Sequence, residues 1–97
     1  MIETLSYEFP ATQSVERRAH VGVVASGNCE ILLEPANNGQ SAVVVRTSVS
    51  GFGGTWQAVL GRFFARNPVA VQIEINDFGA TPAVVALRLE QALESAQ

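Results

Sequence analysis

From Val69 to Asn76 the chain alternates without a break: Val69, Val71, Ile73 and Ile75 are apolar, while Ala70, Gln72, Glu74 and Asn76 are small or polar. A period of two sends successive side chains to opposite sides of a strand, so this segment reads as a strand with one face against a core. What flanks it narrows the fold further. Upstream, Trp56, Val59, Leu60, Phe63 and Phe64 recur at helical spacing and end at Asn67-Pro68, where proline disfavours continuing the helix. Downstream, Thr81-Pro82 reads as an N-cap followed by proline at the first helical position, and Val85, Leu89, Ala92 and Leu93 form the next apolar stripe. Arg88, Gln91 and Glu94 are expected on the outward face of that helix.

The first half of the chain is strand-like. Leu5, Tyr7 and Phe9 alternate with polar residues up to Pro10, and Ala11 to Ser14 reads as a turn. Ala19, Val21, Val23 and Ala25 alternate up to Ser26-Gly27-Asn28, after which Cys29 to Leu33 resumes the apolar run. Two strand-like runs around a short Gly/Asn turn make a β-hairpin, because these residues tolerate the positive φ that tight turns require. Pro35 to Gln40 is a second turn, and Ala42 to Val49 a β-branched strand. A sheet with one apolar face and two amphipathic helices has one economical arrangement. The expectation is an α+β, two-layer sandwich in one domain spanning 1–97. Its sheet is mainly antiparallel with four to five strands, and both helices lie on one face. The helical crossover between the strands ending at Val49 and starting at Val69 allows one parallel βαβ pairing.

Composition then limits the chemistry. Charged residues are only 15% of the 97, against roughly 25% in an average soluble domain. A small domain short of charge has surface suited to partner subunits. The net charge of −3 argues against a nucleic-acid binder, which needs a clustered basic face. One cysteine and one histidine exclude a disulfide framework, a cysteine-rich zinc site and a paired-histidine metal motif. The N-terminal residues have no basic region followed by an apolar stretch, and no apolar run approaches the ~20 residues of a membrane span. A cytoplasmic protein with no membrane association is therefore expected.

Few residues could carry chemistry. Ser26 sits at the predicted hairpin tip, held away from the core on two rigid strands, where a second enzyme could modify its hydroxyl. Taken alone, Ser-Gly-Asn is ordinary turn chemistry, and only its place at the tip raises it above that. His20 precedes it by six residues on the same strand and faces away from the core, which makes a Ser-His-carboxylate triad geometrically unfavourable. Cys29 has no neighbouring cation in sequence to activate it and reads as structural. Gly51-Phe52-Gly53-Gly54 lacks the spacing of a phosphate loop and reads as a strand-to-helix connection. Asp77-Phe78-Gly79 makes a turn with Phe78 packed beneath it. Arg17, Arg18, Arg46, Arg62 and Arg66 are scattered and read as solvated.

Three segments carry a resemblance running nearly end to end. They are Glu3 to Pro10; Val21 to Asn28 with Leu32-Leu33-Glu34-Pro35; and Asp77 to Pro82 continuing through Leu87 to Gln91. The chain resembles the acyl carrier (delta) subunit family of bacterial biotin-independent malonate decarboxylases. Asn28 stands where aspartate is also common in that family and preserves the turn chemistry.

The resemblance implies that Ser26 is the covalent attachment site, through a phosphodiester, of a 2'-(5''-phosphoribosyl)-3'-dephospho-CoA arm. It implies a non-catalytic subunit with no catalytic or metal-binding residues of its own. The arm's thiol would present acetyl and malonyl thioesters to transferase and carboxylyase subunits, as malonate becomes acetate and carbon dioxide. A separate prosthetic-group transferase would load the arm. A non-carrying adaptor subunit is the alternative reading, and a small hydrolase using Ser26 and His20 a third.

Overall fold

The computed structural model describes residues 2–97. Its strands are β1 (Glu3–Pro10), β2 (Gln13–Ser14), β3 (Ala19–Gly22), β4 (Asn28–Pro35), β5 (Gln40–Thr47) and β6 (Val69–Phe78); its helices are α1 (Gly53–Arg66) and α2 (Pro82–Ala96). The main sheet runs β1-β5-β6-β4-β3, with β2 added beside the start of β6. The alternating strand thus becomes the centre of the sheet. β6 pairs antiparallel with β4, matching Ile31 with Ile75 and Leu33 with Ile73. On its other side it pairs parallel with β5, matching Val43 with Ile73 and Val45 with Ile75.

Alternation decides which face is dry. Ile31, Leu33, Val43, Val45, Val71, Ile73 and Ile75 are buried in one cluster with the stripes of both helices. Each such aliphatic side chain contributes roughly 1.5–3 kcal/mol when fully buried. α1 buries Trp56, Val59, Leu60, Phe63 and Phe64, and Phe9 of β1 stacks on Phe64 with ring centroids 4.7 Å apart. At its end, Asn67 donates from both its backbone and side-chain nitrogens to the Phe63 carbonyl before Pro68 turns the chain. α2 begins where Thr81 Oγ1 accepts from the Val84 amide, with Pro82 entering the first turn.

The opposite face of the sheet is polar. Arg46 meets Glu74 at 3.1 Å and His20 meets Glu30 at 2.9 Å. Asn76 Nδ2 donates to Glu30 and to Glu74. Exposed pairs of this kind are each worth about 0–1 kcal/mol, so they organise the face more than they hold the fold. No helix among the described residues is long and apolar enough to cross a membrane.

The expectation of sheet and helices agrees with this architecture, but several details need correction. The parallel β5–β6 pairing is the one the helical crossover allowed, but the short β2 also runs parallel to β6, so the sheet is mixed and has six strands instead of four to five. Gln13-Ser14 was expected in a turn; its neighbours Thr12 and Gln13 donate to the Pro68 carbonyl, which draws the segment alongside Val69 and Ala70. The same strand covers Ala70, which is buried instead of belonging to the polar face. Ser41 and Thr47, buried at opposite ends of β5, tie it down with their hydroxyls. Ser41 donates to the Val69 carbonyl, and Thr47 donates to Asp77.

Candidate functional site: the Ser26 turn

β3 ends at Gly22, three residues earlier than alternation suggests. Gly22 has φ +76°, and a Cβ placed there would lie 2.0 Å from the Cys29 carbonyl oxygen. Only glycine permits that approach. The chain then leaves the sheet through Val23 and Val24, both about half exposed, before turning at Ala25-Ser26-Gly27-Asn28. The Asn28 amide donates to the Ala25 carbonyl at 2.9 Å, and Gly27 has φ +73°. Positive φ at the third residue with none at the second is the type II pattern, which places Ser26 at the leading corner. Ser26 is exposed, as expected of a hairpin tip.

Three other elements hold this turn. The Gly27 amide donates to the Phe78 carbonyl of β6 at 2.9 Å, and Asn28 bridges to Gly79. Asn28 Oδ1 accepts from the Cys29 amide at 2.8 Å and from Arg88 Nε of α2 at 3.2 Å. Arg88 also donates to Gln91. Arg88 was expected to face outward; instead it reaches from α2 to the base of the turn. Helical spacing places Arg88 between Val85 and Leu89, but a long side chain can lay its stem along the apolar surface and deliver its head elsewhere. The signal available in sequence was Asn28, a short polar residue able to receive it.

Beneath the turn lies Asp77, 3% exposed. Its carboxylate accepts from Thr47 Oγ1 at 2.8 Å and from the backbone amides of Gly79 and Ala80. A buried carboxylate needs such donors to offset lost hydration. Gly79 has φ +88°, completing the Asp-Phe-Gly turn. Phe78 does not pack beneath it, being 44% exposed. Period two explains why, since Asp77 takes the core-facing position and Phe78 the opposite one.

Cys29 is fully buried, and its thiol is pushed up to about 11, first by burial and then by the Asp77 charge, with Arg88 opposing. The thiol therefore stays protonated and unreactive at neutral pH, in keeping with a structural residue. His20 is engaged with Glu30 on the open face, and the structure assembles no Ser26–His20 pair. Three of the five scattered arginines form surface pairs, Arg18 with Glu34, Arg46 with Glu74 and Arg66 with Glu90, and Arg17 donates to the Gln97 carbonyl.

Next to the turn, a cleft of about 360 Å³ opens between the N-terminal ends of α1 and α2. Phe52, Trp56, Val59, Ala80, Pro82 and Val85 are among its walls, with Thr47 and Asp77 also lining it. The strand-to-helix connection expected at Gly51-Phe52-Gly53-Gly54 supplies one wall, with Gly51 at φ +90° and Phe52 half exposed.

An exposed serine on a pinned turn, with the chain's one histidine bonded to Glu30 instead, suits a residue that is acted upon. Comparison with known proteins points the same way. The family model for the malonate decarboxylase delta subunit (MdcD) matches residues 16–96. The malonate decarboxylase acyl carrier protein of Azotobacter vinelandii is 53% identical over 94 residues, covering 96% of this chain and 95% of its own. That of Pseudomonas aeruginosa is 53% identical over 96 residues, covering 98% and 97%. A chain in the crystal structure of a Pseudomonas malonate decarboxylase hetero-tetramer in complex with malonate superposes with a TM-score of 0.94 at 50% identity, over 99% of this chain and 100% of that one. With both sequence and fold matched over nearly their whole lengths, this chain belongs to the malonate decarboxylase delta subunit family.

Proposed function

We propose that this chain is the acyl carrier subunit of a malonate decarboxylase, with Ser26 as the attachment point of its covalent arm. The observation that carries the proposal is the Ser26 turn: an exposed hydroxyl at the corner of a type II turn, pinned from β4, β6 and α2. The residues fit a phosphodiester there. The hydroxyl faces solvent, Gly27 leaves the approach open with nothing within 4 Å of a Cβ position, and the Arg88 guanidinium lies at the base of the turn. Arg88 would place positive charge near the new phosphate without leaving its bond to Asn28.

When bound, a 2'-(5''-phosphoribosyl)-3'-dephospho-CoA arm supplies a thiol on which an acyl group is held as a thioester. The chain itself anchors and orients. Its pinned turn fixes the root of the arm, and a tether gives partner sites effective substrate concentrations in the mM range. Val23 and Val24, which lead into the turn, and Phe78, whose carbonyl accepts from Gly27, are exposed and would offer apolar contacts to the transferase, the carboxylyase and the enzyme that loads the arm. Acid–base chemistry and carbon–carbon cleavage then belong to those partners, which accords with a serine that has no base beside it.

Intact mass and peptide mapping of protein purified from its native host test this reading. An added phosphoribosyl-dephospho-CoA mass located on Ser26 is expected. An unmodified chain recovered from an active complex would overturn the carrier assignment and favour a non-carrying adaptor.

A further inference from the structure

The cleft between α1 and α2 stands beside the root of the proposed arm. Gly27, the neighbour of Ser26, donates to the Phe78 carbonyl, and a Cβ position on Gly79 lies 3.9 Å from the Gly27 nitrogen. Gly79 is itself a cleft wall. One crossing of the chain therefore separates the attachment turn from an apolar recess with a tryptophan in its lining.

The lining discriminates among the parts of the arm. Thr47 and Asp77 are hydrogen-bonded to each other, and Thr81 Oγ1 accepts from the Val84 amide. No buried side-chain nitrogen or oxygen among the described residues lacks a partner. Among the residues lining the cleft Asp77 alone is charged, and its carboxylate opposes an anion. Trp56 and Val59 are nearly buried, while Phe52 is half exposed at the rim, so a flat uncharged group would cover apolar surface that water now touches. Outward from Ser26, such an arm presents a phosphate, a ribose and then the adenosine ribose, which carries adenine on one branch and the diphosphate, pantetheine and thiol on the other. Adenine is the first flat uncharged group, and aromatic side chains stack favourably on nucleobases. Holding the pantetheine instead would immobilise the end that must travel to partner sites.

Resting on the carrier reading above, we propose that this cleft seats the adenine of the covalent arm against Phe52 and Trp56, fixing the root while the thiol end swings free. The chain contains a single tryptophan, so its indole N–H gives one assignable nuclear magnetic resonance signal. The test compares ¹⁵N-labelled full-length chain before and after arm attachment, with loading verified by intact mass. In the loaded chain the Trp56 indole and the Val49, Phe52 and Val85 amides should shift, with nuclear Overhauser contacts from adenine protons to Trp56. The exposed Leu87 amide should stay in place as a control. Phe52→Ala, which removes a half-exposed wall, should lose most of the Trp56 shift while Ser26 still loads. A loaded chain whose changes are confined to the turn, or whose Trp56 contacts come from pantetheine protons, overturns the adenine site and leaves the carrier reading standing. A folded chain that its loading enzyme cannot modify at Ser26 overturns both.

Discussion

The turn at Ser26 and the turn at Gly39 use the same local device and differ in what surrounds it. Each contains a glycine at φ +73° with nothing within 4 Å of its Cβ position. Around Gly39 the fixing contacts are local or backbone-made: Ala11 donates to the Gly39 carbonyl, Ala36 to the Ala70 carbonyl, and the Gln40 amide to Asn38 Oδ1. The Ser26 turn adds a side chain from α2, a buried carboxylate below, and a glycine where the backbone passes too close for any Cβ. Local turn residues are enough to reverse a chain. Holding one hydroxyl in a defined place requires contacts from distant segments.

The largest predicted difference comes from two glycine-to-alanine substitutions. Gly22→Ala combines left-handed backbone strain with a clash against the Cys29 carbonyl, and should lower stability by about 2–5 kcal/mol. Gly39→Ala carries the backbone strain alone and should lower it by about 1–2 kcal/mol. Chemical denaturation of both variants measures the contrast. Equal losses would show that the close approach at Gly22 does not constrain the site.

Removal of the support beneath the turn should come next. Asp77→Ala leaves Thr47 Oγ1 and the amides of Gly79 and Ala80 without their acceptor, at a cost of about 1–3 kcal/mol even if water reaches some of them. Hydrogen exchange should accelerate at Gly27, Gly79 and Ala80 while the Gly39 turn is unchanged. Uniform acceleration would mean that Asp77 supports the whole fold and not this end of it.

Arg88→Ala should have a smaller effect, about 0.5–1.5 kcal/mol, the usual net value of a hydrogen bond. Its effect on function should exceed its effect on stability, because the guanidinium fixes Asn28, two residues from Ser26. Arm attachment by the loading enzyme, followed by mass, should slow several-fold. Loading at the parental rate would remove Arg88 from the site.

The contrast between the two turns also shows where sequence reading stops. The Val69–Ile75 alternation, the two helix stripes, the Thr81 cap and the Ser-Gly-Asn tip were all legible, because each depends on residues within a few positions of one another. The parallel placement of Gln13-Ser14 was not, since two polar residues carry no pattern until Pro68 and Val69 lie beside them. Gly22 looked like a continuation of Ala19-Val21-Val23 because only the returning Cys29 backbone reveals the crowding. Arg88 was misjudged, and the Asp77–Thr47 bond went unseen, for a related reason: their partners lie 60 and 30 residues away in sequence. Ser26 itself was identifiable as exposed, and the resemblance supplied its expected role. The platform that holds it emerges only from the fold.

The most direct test of the account uses Ser26→Ala in the assembled malonate decarboxylase complex. The substitution removes one exposed hydroxyl, so stability should change by no more than about 0.5 kcal/mol. The variant should still assemble with its partner subunits. Malonate-dependent carbon dioxide release should nevertheless fall to background, because the proposed arm would have lost its attachment hydroxyl. A folded, assembled Ser26→Ala complex that releases carbon dioxide at the parental rate would contradict the central claim.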